Sequence, residues 1–478
     1  MTNFCLNPWR SAGVVASAVA LFLTACAPGQ DTPAPVTDVN VSRYLAVGDS
    51  YTAGISAGGL TSTSQQYSFP NLLAQQFQRA KADAAFSQPL IEGTGSGYLG
   101  LLDISPVGYV RSRRVAGQAV RSTVINPNAC IGPDTVRLLT RSATSATLPQ
   151  NLGIPGLLLN QIGTANLGNQ SNATPTGTFN PYFERLLPAA DNRTYLQAVT
   201  TAASSATFFT FFQGLDDLMP YIRSGGTCGN VGTSSINQMK INAKRLLDVL
   251  AATGRPGIIA KLPSVTTLPL LSLGQGDKLQ ARLQASFGDN ALLYIEDPLG
   301  SGISQPISGG DYVLATALPR LGQPTPVQVG GATLMLPYGR DVRNPVRNAD
   351  VLDANTEMNL LTAAINNYNN NPGNGSTVAP GLETLAKTYK MPIIATSTGE
   401  SALSLNDVLF TPVNNVISVG GVQYSSAPVR GNFFSSDYYS LTPRGNGLMA
   451  NAFIAAINRA YRATIPAIDV NTLPTSAQ

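Results

Sequence analysis

Tyr44-Leu45-Ala46-Val47-Gly48-Asp49-Ser50 is the stretch on which the fold turns. A short apolar run meets a glycine, an acid and a hydroxyl. An apolar run bounded by a turn signal reads as a strand buried on both faces. The turn after it places the Ser50 hydroxyl at the C-terminal edge of a sheet, where open α/β folds bind ligands. Outward from this point the pattern recurs. Residues 207–212 form a second apolar-aromatic run ending at Gly214, and 258–260 and 393–395 form two more. Between them lie segments of helical spacing. Ser68 and Pro70 open one as cap and first turn, with Leu73 and Phe77 four apart. Met239, Ala243, Leu246 and Leu250 mark another, with Gly254 as candidate C-cap. Further helices are predicted over 351–368, 382–389 and 445–462. Helices alternating with apolar strands predict an α/β domain with a mostly parallel sheet covered on both faces. Residues 84–149 read as long loops and small strands. Residues 265–348, rich in Gly, Pro, Gln and Leu, read as an insertion over one end of the sheet. The asparagine-rich stretch 366–374 reads as a polar loop.

Composition narrows the function classes. The chain has 478 residues, with 30 Lys and Arg against 26 Asp and Glu, a net charge of +4. Charged residues are only 12%, which gives no overall electrostatic footprint for nucleic acid. Hydrophobic residues at 43% suffice for a large core. Histidine is absent, so no imidazole serves as base, acid or metal ligand. The carboxylates and cysteines show no metal-ligand spacing, and no phosphate-binding loop is present, so neither metal nor cofactor is expected.

The N-terminus reads as an export signal. Arg10 ends a short polar region, and residues 11–23 are apolar but shorter than the ~20 residues a spanning helix needs. Leu23-Thr24-Ala25-Cys26 resembles a bacterial lipobox, which implies cleavage before Cys26 and diacylglycerol on its sulfur. Residues 1–25 are then a signal peptide and 26–41 a lipidated tether, extended by Pro28, Pro33 and Pro35. The lipid would hold the protein at a membrane of the cell envelope. Ala27 in place of an aspartate favours the outer membrane or cell surface. Cys130 and Cys228 remain. An oxidising compartment favours a disulfide between them, two separate thiols being the alternative.

Four blocks carry the chemistry. Gly48-Asp49-Ser50 follows the first strand. Asn151-Leu152-Gly153-Ile154-Pro155-Gly156 is a glycine-bearing loop. Gly214-Leu215-Asp216-Asp217 follows the second strand. Asp437-Tyr438-Tyr439-Ser440 precedes Thr442-Pro443-Arg444-Gly445 and the last helix. In this order the blocks resemble those of the SGNH/GDSL hydrolases, lipoprotein members in particular. The resemblance covers most of residues 44–466. It implies a three-layer α/β/α (flavodoxin-like) fold with long insertions, spanning 42–478. It also implies Ser50 as nucleophile, Gly156 as an oxyanion-hole N–H, and Asp437 as the acid that orients the base. Two positions depart from the family. Asp216 stands where the family has an asparagine, and Ser440 where it has the histidine.

Both departures bear on mechanism. An ionised carboxylate accepts hydrogen bonds and repels an oxyanion, whereas an amide donates to it. A serine hydroxyl is a weak nucleophile without an adjacent base. The expected function is therefore that of an exported lipoprotein of the ester-hydrolase lineage with impaired catalysis, its pocket open to an acyl-ester or envelope-glycan ligand. One alternative is an active esterase or deacetylase using Asp437, Asp216 or Lys261 as base, although Lys261 reads more simply as a solvated or snorkelling strand-end residue. The other is an envelope scaffold.

Overall fold

The computed structural model describes residues 38–105, 108–126, 134–142, 147–173, 178–297, 303–394 and 416–477. The signal peptide, Cys26, most of the tether, Cys130 and Ala395 lie outside them.

Five parallel strands form the central sheet: β1 (Tyr44–Gly48), β2 (Asn151–Gly153), β3 (Phe208–Phe212), β4 (Gly257–Ala260) and β5 (Ile393–Ile394). Their spatial order is β5-β4-β3-β1-β2. β1 pairs with β3 from Tyr44↔Phe208 to Gly48↔Phe212, and with β2 from Ala46↔Asn151 to Gly48↔Gly153. Every residue of β1, β3 and β4 is buried, so both faces of the sheet are covered. This accounts for the unbroken apolar runs. β2 lacks such a run and sat inside what the sequence showed only as a glycine-bearing loop. Strand order reverses at β1. The crevice beside its C-terminal end is the switch point at which such sheets bind ligands.

Among the described residues, the helices that flank the sheet include α1 (Phe69–Ala80), α2 (Tyr195–Ala203), α3 (Leu215–Arg223), α4 (Thr233–Leu250), α5 (Glu357–Asn370), α6 (Leu382–Tyr389) and α7 (Pro443–Tyr461). Phe69 of α1 stacks on Phe453 of α7 at 5.0 Å. Phe208 of β3 meets Phe77 and Tyr461 edge-on at 5.7 and 5.9 Å, which seats α1 and α7 on one face. α4 packs with α2, α5 and α6. Ser68 occupies the N-cap of α1 without making the capping bond. Asn446 of α7 accepts from the Phe69 N–H instead, at 3.1 Å.

Three local expectations change. The helix predicted over 351–368 begins at Glu357, because Asp353 accepts from the N–H groups of Asn355 and Thr356 and holds a turn there. Residues 351–352 pair instead with Tyr312–Val313. The asparagine-rich stretch is helical as far as Asn370, where a polar loop was expected. Buried Asn369 accepts from the Leu262 N–H at 2.9 Å and donates to its carbonyl at 2.7 Å, so the amides serve the backbone that leaves β4. Gly254 follows a helix that has already ended at Leu250. Residues 84–149 hold two antiparallel ribbons, Tyr98–Ile104 with Val110–Val115 and Val120–Asn126 with Asp134–Leu139. Residues 265–348 include two more, and gather Leu293, Ile295, Ile307, Val313, Tyr338 and Val346 with Ala317 and Val351 into an apolar cluster of their own.

At Gly48 a Cβ would stand 2.0 Å from Thr52 Oγ1 and 2.3 Å from the Phe212 carbonyl oxygen. Neither side of that contact yields, since one atom is sheet backbone. Gly48→Ala is expected to destabilise the fold by about 3 kcal/mol, read as a lowered urea midpoint with unchanged slope.

Candidate active site

The site is built where β1 and β3 end. After Gly48 the chain turns at Asp49 into a one-turn helix, Ser50–Ala53, closed by Gly54 at φ +87°. After β3, Gly214 at φ +113° turns the chain into α3. Asp49 joins the two turns. Its Oδ2 accepts from the N–H groups of Gly214, Leu215 and Asp216 at 3.1, 3.0 and 3.2 Å. These are orphan donors at a helix start, and a carboxylate there also meets the positive end of the helix dipole. The sequence reading assigned Asp49 no role. It positions α3, and so positions Asp216.

Asp216 is buried, and its carboxylate is fully engaged. Oδ2 accepts from the Ser50 hydroxyl at 2.6 Å, the Ser50 N–H at 3.0 Å and the Gly156 N–H at 2.8 Å. Oδ1 accepts from the Tyr439 hydroxyl at 2.8 Å. Gly156 adopts φ +69°, which aims its N–H at this point. Two backbone N–H groups thus converge beside Ser50 Oγ, the geometry of an anion hole, and a carboxylate of the same chain fills it. Asp217, its neighbour, faces the other way and accepts from the Leu159 N–H at 2.9 Å, holding the loop that carries Gly156.

Asp437 and Ser440 form a separate cluster. Asp437 Oδ2 accepts from the Gly58 N–H at 2.6 Å and the Ser440 hydroxyl at 2.7 Å. Its Oδ1 accepts from the Ser440 N–H at 2.8 Å and from the Tyr439 N–H and Ser435 hydroxyl, each at 3.1 Å. Ser440 is fully buried. None of the hydrogen bonds of Ser50 reaches Asp437 or Ser440. Tyr439 links the two clusters. Its hydroxyl holds Asp216, while its carbonyl accepts from the Tyr51 hydroxyl at 2.7 Å. Burial, then the charge of Asp216, pushes the Tyr439 phenol well above its usual pKa, so it stays a donor.

Ser50, Gly156, Asp216, Asp437 and Tyr439 line one cavity of about 420 Å³. Ile55, Pro155, Leu158 and Met219 supply an apolar wall. Arg223, at the far end of α3, is the single cationic side chain in the lining, its guanidinium 5.4 Å from the Tyr439 ring centre. Tyr439, Tyr51 and Arg223 were missed by sequence reasoning. Tyr439 lay inside a quoted block, but aromatic residues carry no signal of their own in such a motif.

Lys261 is not beside Ser50. Only 7% exposed, it donates to Asn370 at 2.8 Å and to Glu383 at 2.7 Å. Of the two readings, solvated or snorkelling, that burial excludes the solvated one. The ammonium holds the Glu383 carboxyl down at about 2, with help from Lys387. Among the described residues no three His, Cys, Asp or Glu side chains are grouped as metal ligands, and no helix is long and apolar enough to cross a membrane. Cys228 is buried, and its expected partner Cys130 lies outside the described residues.

No family model, curated protein or solved structure matches the chain.

Burial, followed by the charge of Asp216, raises the Asp49 carboxyl well above its ordinary value, against the lowering effect of its N–H donors. The folded state therefore keeps this proton to higher pH than the unfolded chain does. Through this group stability falls as pH climbs from about 4. Asp49→Asn is expected to lessen that fall, measured by urea denaturation from acid to neutral pH. Asp49→Ala orphans three N–H groups and is expected to cost about 2 kcal/mol at neutral pH.

Proposed function

We infer that the chain is an exported lipoprotein of the SGNH/GDSL ester-hydrolase lineage that binds an acyl-bearing ligand and does not turn esters over at an enzymatic rate. The parallel strand order, the switch-point site and the meeting of Ser50, Gly156 and Asp437 in one cavity support the lineage. The observation that carries the loss of catalysis is the position of Asp216 Oδ2, within hydrogen-bond distance of the Ser50 N–H, the Ser50 hydroxyl and the Gly156 N–H. A substrate carbonyl needs the same two N–H groups. A neutral carbonyl accepts more weakly than an ionised carboxylate, so it does not displace Asp216. Even if it did, no imidazole is present to take the serine proton, and the family's histidine position holds Ser440, turned to Asp437. The apolar wall favours an acyl chain over an envelope glycan as the ligand. Anchorage through Cys26 at the outer membrane or cell surface, and a bridge between Cys130 and Cys228, belong to the same reading and rest on the sequence. Under denaturing, non-reducing conditions Cys130 and Cys228 are expected to resist alkylation; labelling of both would remove the bridge.

One observation favours a second reading. Ser50 Oγ donates directly to Asp216 at 2.6 Å, so a carboxylate already accepts the hydrogen bond of the proton that an esterase must remove. The two readings separate on p-nitrophenyl butyrate and a fluorophosphonate probe. The binding reading expects turnover no different from Ser50→Ala and no labelling of Ser50. Ser50-dependent turnover with labelling would establish Asp216 as a working base. Asp216→Asn with Ser440→His restores an amide and an imidazole at the two altered positions. That double variant is expected to gain Ser50-dependent hydrolysis by ~10²-fold or more, the scale of one oxyanion donor.

A further inference from the structure

The chain's balanced total charge conceals a local excess. Residues 98–141 contain six arginines and two aspartates, with no lysine or glutamate, for a net +4; the chain as a whole carries +4. Arg121 and Arg141 of this segment meet Glu184, and residues 98–115 hold three arginines and one aspartate, a net +2. This segment includes the antiparallel ribbon of Tyr98–Ile104 and Val110–Val115. On its second strand Arg111, Ser112, Arg113 and Arg114 are all exposed. Arg111 is held by Asp103 across the ribbon, and Arg113 has no acidic partner among the described residues.

The same ribbon exposes two leucines, Leu101 at 43% and Leu102 at 60%. The pairing register shifts between Leu101 and Asp103, which leaves Leu102 as the extra residue. A β-bulge of this kind leaves the extra residue unpaired and re-aims its side chain. Leucines held in water beside Arg113, which no acid meets among the described residues, are the pattern of a surface made for a layer that is apolar beneath and anionic on top.

We propose that the ribbon Tyr98–Ile104/Val110–Val115 docks on an anionic lipid layer, with the arginines at the phosphate headgroups and Leu101 and Leu102 below them. A soluble polyanion would account for the arginines and leave the leucines without purpose. An apolar protein partner would account for the leucines and leave Arg113 unpaired. The ribbon is also held in place beforehand. The Leu99 N–H donates to the Ala57 carbonyl at 2.7 Å, the Ser436 hydroxyl donates to the Leu99 carbonyl at 2.9 Å, and the Val110 N–H donates to the Tyr438 hydroxyl at 2.6 Å. These bonds tie it to the segments that carry Gly58 and Asp437 at the cavity. Docking would bring the cavity rim to the lipid surface, where acyl-bearing molecules reside. The docking itself stands apart from what the cavity holds.

Hydrogen exchange read on peptides covering 98–115 of the full chain tests this. The chain is mixed with vesicles of phosphatidylcholine alone, or of phosphatidylcholine with phosphatidylglycerol. A lipid on Cys26 would tether it to both kinds equally, so the comparison isolates the ribbon. Exchange is expected to slow by roughly threefold or more only on the anionic vesicles. The slowing should vanish at 1 M salt, where screening shortens to ~3 Å. It should shrink in Arg113→Glu and in Leu102→Ser, whose side chains are exposed. Equal exchange on both vesicles overturns the proposal. So does equal slowing by heparin without vesicles, which would assign the ribbon to a soluble polyanion.

Discussion

A single oxygen atom, Asp216 Oδ2, is the point on which the site depends. It accepts from Ser50 twice and from Gly156 once, and so binds the turn after β1 to the loop after β2. Its partner oxygen binds the loop that holds Asp437, through Tyr439. Four segments far apart in sequence meet on one carboxylate. In a serine hydrolase that point must stand open, because negative charge develops there in the transition state. Here it already carries negative charge, fixed by four donors. Asp49 sets the arrangement by capping the start of α3. The acid of the Gly48-Asp49-Ser50 turn therefore acts through the backbone of the helix that delivers Asp216.

The second altered position follows the same logic. A buried carboxylate left without donors is costly. Asp437 would be such a carboxylate if nothing faced it. Instead the Ser440 hydroxyl and N–H, the Ser435 hydroxyl and the Gly58 N–H close around it. Both carboxylates are satisfied from within the chain. The result is a hydrogen-bond network with serine at its edge in which the Ser50 and Gly156 N–H groups are already bound, and that is itself a reason for low reactivity.

The parallel sheet was legible because β1, β3 and β4 are buried on both faces and so read as apolar runs. β2 was not, since three residues containing a glycine carry no periodicity. Ser50, Gly156 and Asp216 were legible as residues, and the structure brings them together. Their arrangement was not. The sequence reading treated Asp216 as a defective donor, whereas in the fold it is the occupant of the anion site. Spacing along a chain says which side chains share a sheet edge; it does not say which one lies in the hole formed by the others. Asp49 and Tyr439 were invisible for a related reason. Each acts by a contact across more than 160 residues, between elements whose docking no local pattern encodes. The asparagines at 369 and 370 were misread because polarity suggested solvent, while their amides serve buried backbone and a buried lysine.

The filled anion site also constrains what the cavity holds. α3 begins beside Asp216 and ends at Arg223, so one helix sets both polar ends of the lining. At the first end both oxygens of Asp216 are held by protein donors, three on Oδ2 and one on Oδ1. At the second, Arg223 is exposed over the Tyr439 ring, with donors in a planar fork. Between them the wall is Ile55, Pro155, Leu158 and Met219. A ligand entering this space gains little at the serine end, because each hydrogen bond there must be taken from Asp216. It gains from apolar contact along the wall and from the guanidinium at the rim. Under the proposed reading, the end that would polarise an ester is closed, and the apolar wall that would face an acyl chain is open. The asymmetry then favours binding over turnover: a group to be cleaved would have no place to be polarised, while the chain attached to it would have a surface to lie against.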